Sequence, residues 1–301
     1  METVADVFEK FVADGNEIIG PIPTIKGKFD LSWVGSNSIL EFGEEVLMTS
    51  TKIRCYKGGG RIKLEDKTEM QGFLSISKGS TLQIGSGTRV NRPSMIRAQE
   101  GANLEIGTGC LLSNVKILTS DLHSIVDLRT GKRTNAARGI VIENDVWLAE
   151  DVKVAKGSRI GTGAVIAAGS FVRGLIPPFC LAAGRPAIVV KTGVSWDRRA
   201  LPVEFHTAPK FTGGDIPLDK EILRQLVSVK RYSLVLSVIE ASIEEFDTVF
   251  DMPVFARWYL VFCRHKLKKS APEDQMLLSG VINEAPDHKA AARLQRELLS
   301  T

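Results

Sequence analysis

IENDVWLAEDVKVAKGSRIGTGAVIAAGSFVRGLI runs from Ile142 to Ile176 and divides into hexads. The first place of each hexad holds Ile142, Leu148, Val154, Ile160, Ile166 and Val172, all aliphatic. The fifth holds Val146, Val152, Ser158, Ala164, Ser170 and Ile176, mostly small residues. A period of six matches neither the 3.6 of a helix nor the 2 of a two-faced strand. It matches a triangular solenoid in which each hexad lays down one flat face and turns one corner. The first residue then points inward, and the fifth sits where two faces converge. Three hexads close one coil of about 18 residues, so 142–159 and 160–177 read as two successive coils.

Upstream, the same phrase returns at a wider spacing. Leu40-Glu41-Phe42-Gly43, Ile62-Lys63-Leu64-Glu65, Leu82-Gln83-Ile84-Gly85 and Leu104-Glu105-Ile106-Gly107 are offset by 22, 20 and 22 residues. These read as coils with larger corners. Gly35, Gly60, Gly79 and Gly101 precede them, where a positive φ can serve a tight turn. From Ile106 to Ile142 is 36 residues, one coil of 18 plus an excursion of 18, which predicts a loop over about 119–139 that leaves the solenoid and returns in register.

A solenoid needs caps at its ends. Residues 1–34, beginning METVADVFEKFVADGNEIIG, supply an amphipathic helical cap, and the β-helix itself is expected over 35–193. The segment 194–214 has the Pro and Gly content of a linker, with Pro202, Pro209, Gly213 and Gly214. Beyond it, Ile222, Leu226, Val229, Val235, Val238, Ile239, Ile243 and Phe246 follow helical spacing. PVFARWYLVFCRHK and EAPDHKAAARLQRELLS read as two more helices, giving a C-terminal α-helical domain over 215–301. With 44% hydrophobic residues, no bilayer-length apolar run and no signal-peptide pattern, the chain reads as soluble and cytoplasmic. Cys55, Cys110, Cys180 and Cys263 are scattered and read as reduced thiols, with no metal site. A net charge of +4 without a long Lys/Arg run gives no nucleic-acid surface. Lys57-Gly58-Gly59-Gly60 lacks the spacing and following helix of a phosphate loop.

Taken together, the hexads, DLHS at 121–124, NDVWLAE at 144–150, AAGRPA at 182–187 and SWDRR at 195–199 resemble the hexapeptide-repeat acyltransferases, most nearly the branch that O-acetylates sialic acids and capsular polysaccharides. The resemblance covers roughly 35–198. It implies a mainly β, left-handed parallel β-helix, acetyl-CoA as donor, a sugar hydroxyl of a cell-surface polysaccharide or its precursor as acceptor, and a homotrimer with active sites between subunits. Ala149 and Ala167 stand where the family more often has glycine, and Glu143-Asn144 where it has Gly-Asp.

Acetyl transfer from a thioester to a hydroxyl needs a base. Imidazole, with an ordinary pKa of about 6.5, is ready to accept a proton at neutral pH, and a positioned base contributes roughly 10²- to 10⁴-fold. His123 is the one histidine within the repeat region, since His206, His265 and His288 follow it. Trp147 takes a corner position, outward from the narrow core, and the resemblance makes it line the site beside His123. Asp121 shares a side with His123 in an extended segment and is a candidate to orient it, with Asp127 and Glu150 as rivals. A backbone N–H on a coil corner is the expected oxyanion donor. The resemblance assigns backbone near Ala149, Ala167 and Ala168 to the pantetheine arm, and Arg173, Arg185 and Lys191 to the nucleotide end of coenzyme A, where cations suit phosphates.

Three other functions compete. Transfer to a nucleotide-linked amino sugar or an antibiotic differs only in the acceptor. Zinc carbonic anhydrases on this fold need three converging histidines, against one here. A non-catalytic scaffold would use the helical tail, where the stretch from Trp258 to Lys269 could join a glycan-synthesis complex.

Overall fold

A computed structural model describes residues 3–199, 218 and 220–299, except 229–231, 244, 245, 247, 268 and 270. The chain divides into two units, Met1–Leu201 and Pro202–Thr301.

The first unit is a parallel β-solenoid. Its first face is an eight-stranded sheet of Glu17–Ile19, Ile39–Phe42, Arg61–Leu64, Thr81–Ile84, Leu104–Ile106, Ile140–Ile142, Arg159–Ile160 and Leu175–Ile176. The repeated phrases fall in register: Leu40 pairs with Ile62, Ile62 with Leu82, and Leu82 with Leu104. Ile106 pairs directly with Ile142, so the 21 residues between Leu118 and Ile140 do leave the solenoid and return without disturbing the stack.

The second and third faces form one 13-stranded sheet. In the early coils single long strands, Thr24–Trp33, Leu47–Tyr56 and Glu69–Ser77, cross both faces, and their register shifts near Lys26/Phe29 and Thr49/Thr51. Such a shift bends a strand, which is how one strand turns a corner without breaking. Later coils use separate strands. Arg89–Val90, Leu111–Leu112, Trp147–Leu148 and Val165–Ile166 lie on the second face. Ser94–Ala98, Lys116–Leu118, Lys153–Val154 and Phe171–Val172 lie on the third.

All twelve residues at the first and fifth hexad places are at most 2% exposed. Each fully buried aliphatic contributes about 1.5–3 kcal/mol, and stacking them coil on coil is what holds the solenoid together. The small fifth residue has a second use: Ser158 Oγ donates to the carbonyls of Ala155 at 2.7 Å and Val172 at 3.3 Å, satisfying a crowded corner. The last coil differs from the expected 18 residues. Ile160 pairs with Ile176, so this coil has 16, because the corner after Val172 is shortened to Arg173-Gly174, with Gly174 at φ 93°.

Both ends also depart from the expected boundaries. Only the helix Val4–Ala13, started by a Thr3–Asp6 capping box, acts as the N-terminal cap. It buries Phe8 and Phe11 against Phe29, Phe42 and Trp33, while residues 17–33 already belong to the first coil through Glu17–Ile19 and Thr24–Trp33. At the far end Cys180–Gly184 and Ala187–Thr192 form an antiparallel hairpin that closes the open sheet edge. Of the expected linker, residues 194–199 are hydrogen-bonded to the solenoid, and 200–214, with His206, lie outside the described residues.

In the second unit the described helices are Lys220–Ser228, Tyr232–Ser242, Val254–Lys266, Asp274–Glu284 and Lys289–Leu299. Leu260, Val261, Leu277, Leu278 and Val281 are fully buried in it. The helix Asp274–Glu284 was not expected from sequence. Its buried Asp274 and the neighbouring Glu273 both accept from Arg264, at 2.9 and 2.8 Å. Among the described residues no helix is long and apolar enough to cross a membrane.

Candidate active site

The excursion springs from the corner between the third and first faces. Its base is closed where Arg138 N donates to Thr119 O at 3.0 Å, and it continues as a short hairpin with a Val126–Arg133 bridge. At the tip the Asp127 carboxylate accepts the backbone N–H groups of Arg129 at 2.8 Å and Thr130 at 3.1 Å, which holds its pKa below the ordinary value. Asp127 is therefore a turn-former in the chain.

One buried side chain organises the neck of the loop. Asn135 Nδ2 donates to the Asp121 carboxylate at 2.8 Å and to His123 O at 2.7 Å, while its Oδ1 accepts from Ile125 N at 2.8 Å. Lys156, on the equivalent corner of the next coil, donates to Asp121 at 2.5 Å and to Asn135 O at 2.8 Å. Arg133 reaches back to Glu100 at 2.8 Å. Five side chains thus latch the loop to two coils. Leu122 is held at φ 64°, a conformation non-glycine residues rarely adopt, and its N–H donates to Ser120 Oγ at 2.9 Å. That kink presents His123 on the exposed side of the loop.

The carboxylate of Asp121 thus meets Lys156 and Asn135, and no hydrogen bond joins it to His123. Lys156 first and Asn135 second lower its pKa. Glu150, the other rival, pairs with Arg92 at 3.2 Å. Sequence reasoning missed Asn135 and Lys156, which lie 14 and 35 residues from Asp121 and carry no motif.

Trp147 opens the second-face strand Trp147–Leu148, paired with Leu111 on one side and Val165 on the other. Leu148 points inward and the half-buried indole of Trp147 outward. Its ring packs on Trp196, with centroids 5.9 Å apart. Ala149 and Ala167 occupy the next corner, their N–H groups donating to Ile166 O and Ala182 O, and Ala168 beside them is exposed. Neither Ala149 nor Ala167 takes a positive φ, so alanine costs these corners nothing. Arg185 joins this corner by donating to Gly169 O at 2.6 Å, and Lys191 lies across from Leu181 on the second face. Arg173 is separated from them, on the corner between the third and first faces. The three cations expected together thus fall into two places.

His123 and Trp147 also lie apart. The loop leaves from the corner at one end of the first face, and Trp147 begins the second face, past the other end. No hydrogen bond or ring contact links them within the chain. Cys110 and Cys55 do not compete as nucleophiles, since burial pushes their thiols up to about 11 and about 12.

Residues 139–174 match the bacterial transferase hexapeptide family, as six repeats. The chain is 33% identical over 138 residues to a polysialic acid O-acetyltransferase of Escherichia coli O1:K1 / APEC, covering 46% of this chain and 45% of that protein. It is 29% identical over 129 residues to the polysialic acid O-acetyltransferase of Neisseria meningitidis, covering 42% and 60%. The crystal structure of the polySia-specific acetyltransferase NeuO superposes with a TM-score of 0.57 at 25% identity, covering 72% of this chain and 95% of that one. The solenoid is thus similar in sequence and fold to acetyltransferases, and residues 139–174 carry the hexapeptide repeat. The match to the curated relatives spans about half of their length. The fold matches that of left-handed β-helix acetyltransferases, the hand that sequence periodicity alone does not fix. Within the hexapeptide-repeat domain the matched segment 139–174 contains Trp147, Ala149, Ala167, Ala168 and Arg173, whereas His123 and Asp121 belong to the excursion before it.

Proposed function

We propose that this chain is an acetyl-CoA-dependent O-acetyltransferase acting on a sugar hydroxyl of an acidic cell-surface polysaccharide or its precursor. The observation that carries the reading is the latched loop: an exposed histidine is presented on a hairpin tied to two coils, in a solenoid that superposes on a polySia-specific acetyltransferase. In this reading His123 takes the proton of the acceptor hydroxyl as its oxygen attacks the thioester carbonyl. The tetrahedral oxyanion is met by a backbone N–H at a coil corner, and the departing thiolate receives the proton from the imidazolium. Asp121 serves the loop's latch and acts on His123 through Asn135, without touching the imidazole. Trp147 lines the acetyl end of the donor. Ala149, Ala167 and Ala168 border the pantetheine arm, and Arg185 and Lys191 meet the phosphates, with Arg173 a contact from a second direction.

Because His123 and Trp147 sit beyond opposite ends of the first face, this reading needs two copies of the chain, the loop of one completing the site of the next. Leu122, Ile125, Val126 and Leu128 on the loop are 43%, 61%, 46% and 98% exposed, which suits a surface covered by a neighbour. Around a closed ring such a head-to-tail contact repeats, and we assign a homotrimer. We place the reaction in the cytoplasm, in keeping with cysteines that are scattered along the chain and buried.

Coenzyme A binding tests the donor assignment. At 100 times its Kd the ligand stabilises the folded state by about 2.7 kcal/mol, a plainly raised unfolding midpoint. An unchanged midpoint at millimolar coenzyme A contradicts the assignment.

A further inference from the structure

After Thr192 the chain turns back along the corner between the first and second faces, against the direction in which the coils stack. Val194 N donates to Phe179 O at 3.0 Å in the last coil. Trp196 Nε1 donates to Asp145 O at 2.5 Å, two coils earlier. Arg198 Nη2 reaches Gly109 O at 2.9 Å, Cys110 O at 3.3 Å and Gly87 O at 3.0 Å, in the two coils before that. Asp197 and Arg199 pair with each other at 2.8 Å and stiffen the segment between these contacts. With the corner residues Gly109, Asp145, Thr162, Gly163 and Phe179, the segment lines an open pocket of about 530 Å³.

We propose that residues 194–199 form a strap that fixes the Trp147 indole, with Trp196 as a positioning residue acting through Trp147 and Arg198 as the clamp. The inference rests on the reading that Trp147 lines an acetyl-transfer site. Trp147 is an outward side chain on a flat sheet, with Leu111 and Val165 as its ladder neighbours. The Trp196 ring packs on it at 5.9 Å, tilted by 41°. Its N–H is committed to Asp145, two residues before Trp147, so one side chain holds both the backbone and the ring of the NDVW turn. Arg198 supplies a donor to the corner carbonyls of Gly87 and Gly109, and to Cys110 O, which also accepts from Arg89 N at 2.9 Å in the ladder. The Arg198 guanidinium serves carbonyls of two coils at once through Nη2. The strap therefore reads the spacing between coils and transmits it to one aromatic ring.

Two indoles at this separation give an exciton couplet in circular dichroism, and Trp147–Trp196 is the one Trp–Trp ring contact among the described residues. The experiment uses the full chain and the variants Trp196→Ala, Trp196→Phe and Arg198→Ala, with acetyl-CoA as donor, polysialic acid as acceptor probe, and sedimentation to confirm assembly. The wild type shows the couplet. Arg198→Ala, which keeps both indoles, weakens it. Trp196→Ala and Arg198→Ala lower kcat by about ten- to a hundred-fold through misplacement, with KM for acetyl-CoA unchanged, and Trp196→Phe restores most of the rate by keeping a ring. A wild type without a couplet overturns the proposal, as does an Arg198→Ala protein with the wild-type couplet and kcat. If the wild type fails to turn over acetyl-CoA, the acetyl-transfer reading falls, while the response of the couplet to Arg198→Ala still decides the strap.

Discussion

Lys156 follows Asp121 by 35 residues in the chain, yet its ammonium meets that carboxylate at 2.5 Å and its second bond goes to Asn135 O. The pair lowers the Asp121 pKa below its ordinary 3.8, chiefly through the Lys156 hydrogen bond and then through Asn135. A carboxyl whose folded pKa is depressed stabilises the fold fully above its unfolded value. That contribution is lost as pH falls from 3.8 through the lowered folded value. The Asn135 side-chain amide touches the same carboxylate, so its NMR resonances report the titration. The expected midpoint lies below 3.8 and moves up toward it in Lys156→Met; a wild-type midpoint at or above 3.8 contradicts the latch. None of this was legible in the sequence. His123 stood out because the reaction needs a base, and Trp147 because an outward aromatic in a repeat is conspicuous. Asn135 and Lys156 are ordinary residue types whose roles come from a meeting across a corner, and no local pattern encodes that.

A coil is the unit of stability, and its inward residues carry most of it. Leu148 is fully buried between Leu112 of the coil before and Ile166 of the coil after. Leu148→Ala removes apolar surface and leaves a cavity between rigid neighbours, so a loss of about 2–5 kcal/mol is expected in urea unfolding. The outward Lys153→Ala is expected to stay within about 0.5 kcal/mol. Equal effects at the two positions contradict the assigned phase of the repeat. Hexad periodicity made this phase readable, because inward and outward positions alternate with a fixed step that survives one large insertion. The shortened last coil was hidden because Ile176 fits the fifth place of an ideal hexad as well as the first place of a truncated one. The strap escaped for a different reason: SWDRR has no period, and its partners are main-chain carbonyls, which every sequence supplies.

At the scale of the whole molecule, the separation of His123 and Trp147 predicts a shared site. Each singly substituted protein, His123→Ala or Trp147→Ala, lacks one half. Co-assembled in equal amounts, about a quarter of the sites in a closed ring pair an intact histidine with an intact tryptophan, because each partner is the right one with a chance of about one half. Recovery of roughly that share of wild-type rate is expected, and no recovery in mixed assemblies places the site within one chain. The donor, the acceptor class and the base all meet in one assay, the release of free thiol from acetyl-CoA on addition of polysialic acid. The wild type is expected to release thiol in an acceptor-dependent manner, and His123→Ala, with its assembly intact, to lose about 10²- to 10⁴-fold in kcat. Wild-type turnover in the His123→Ala protein would contradict the account.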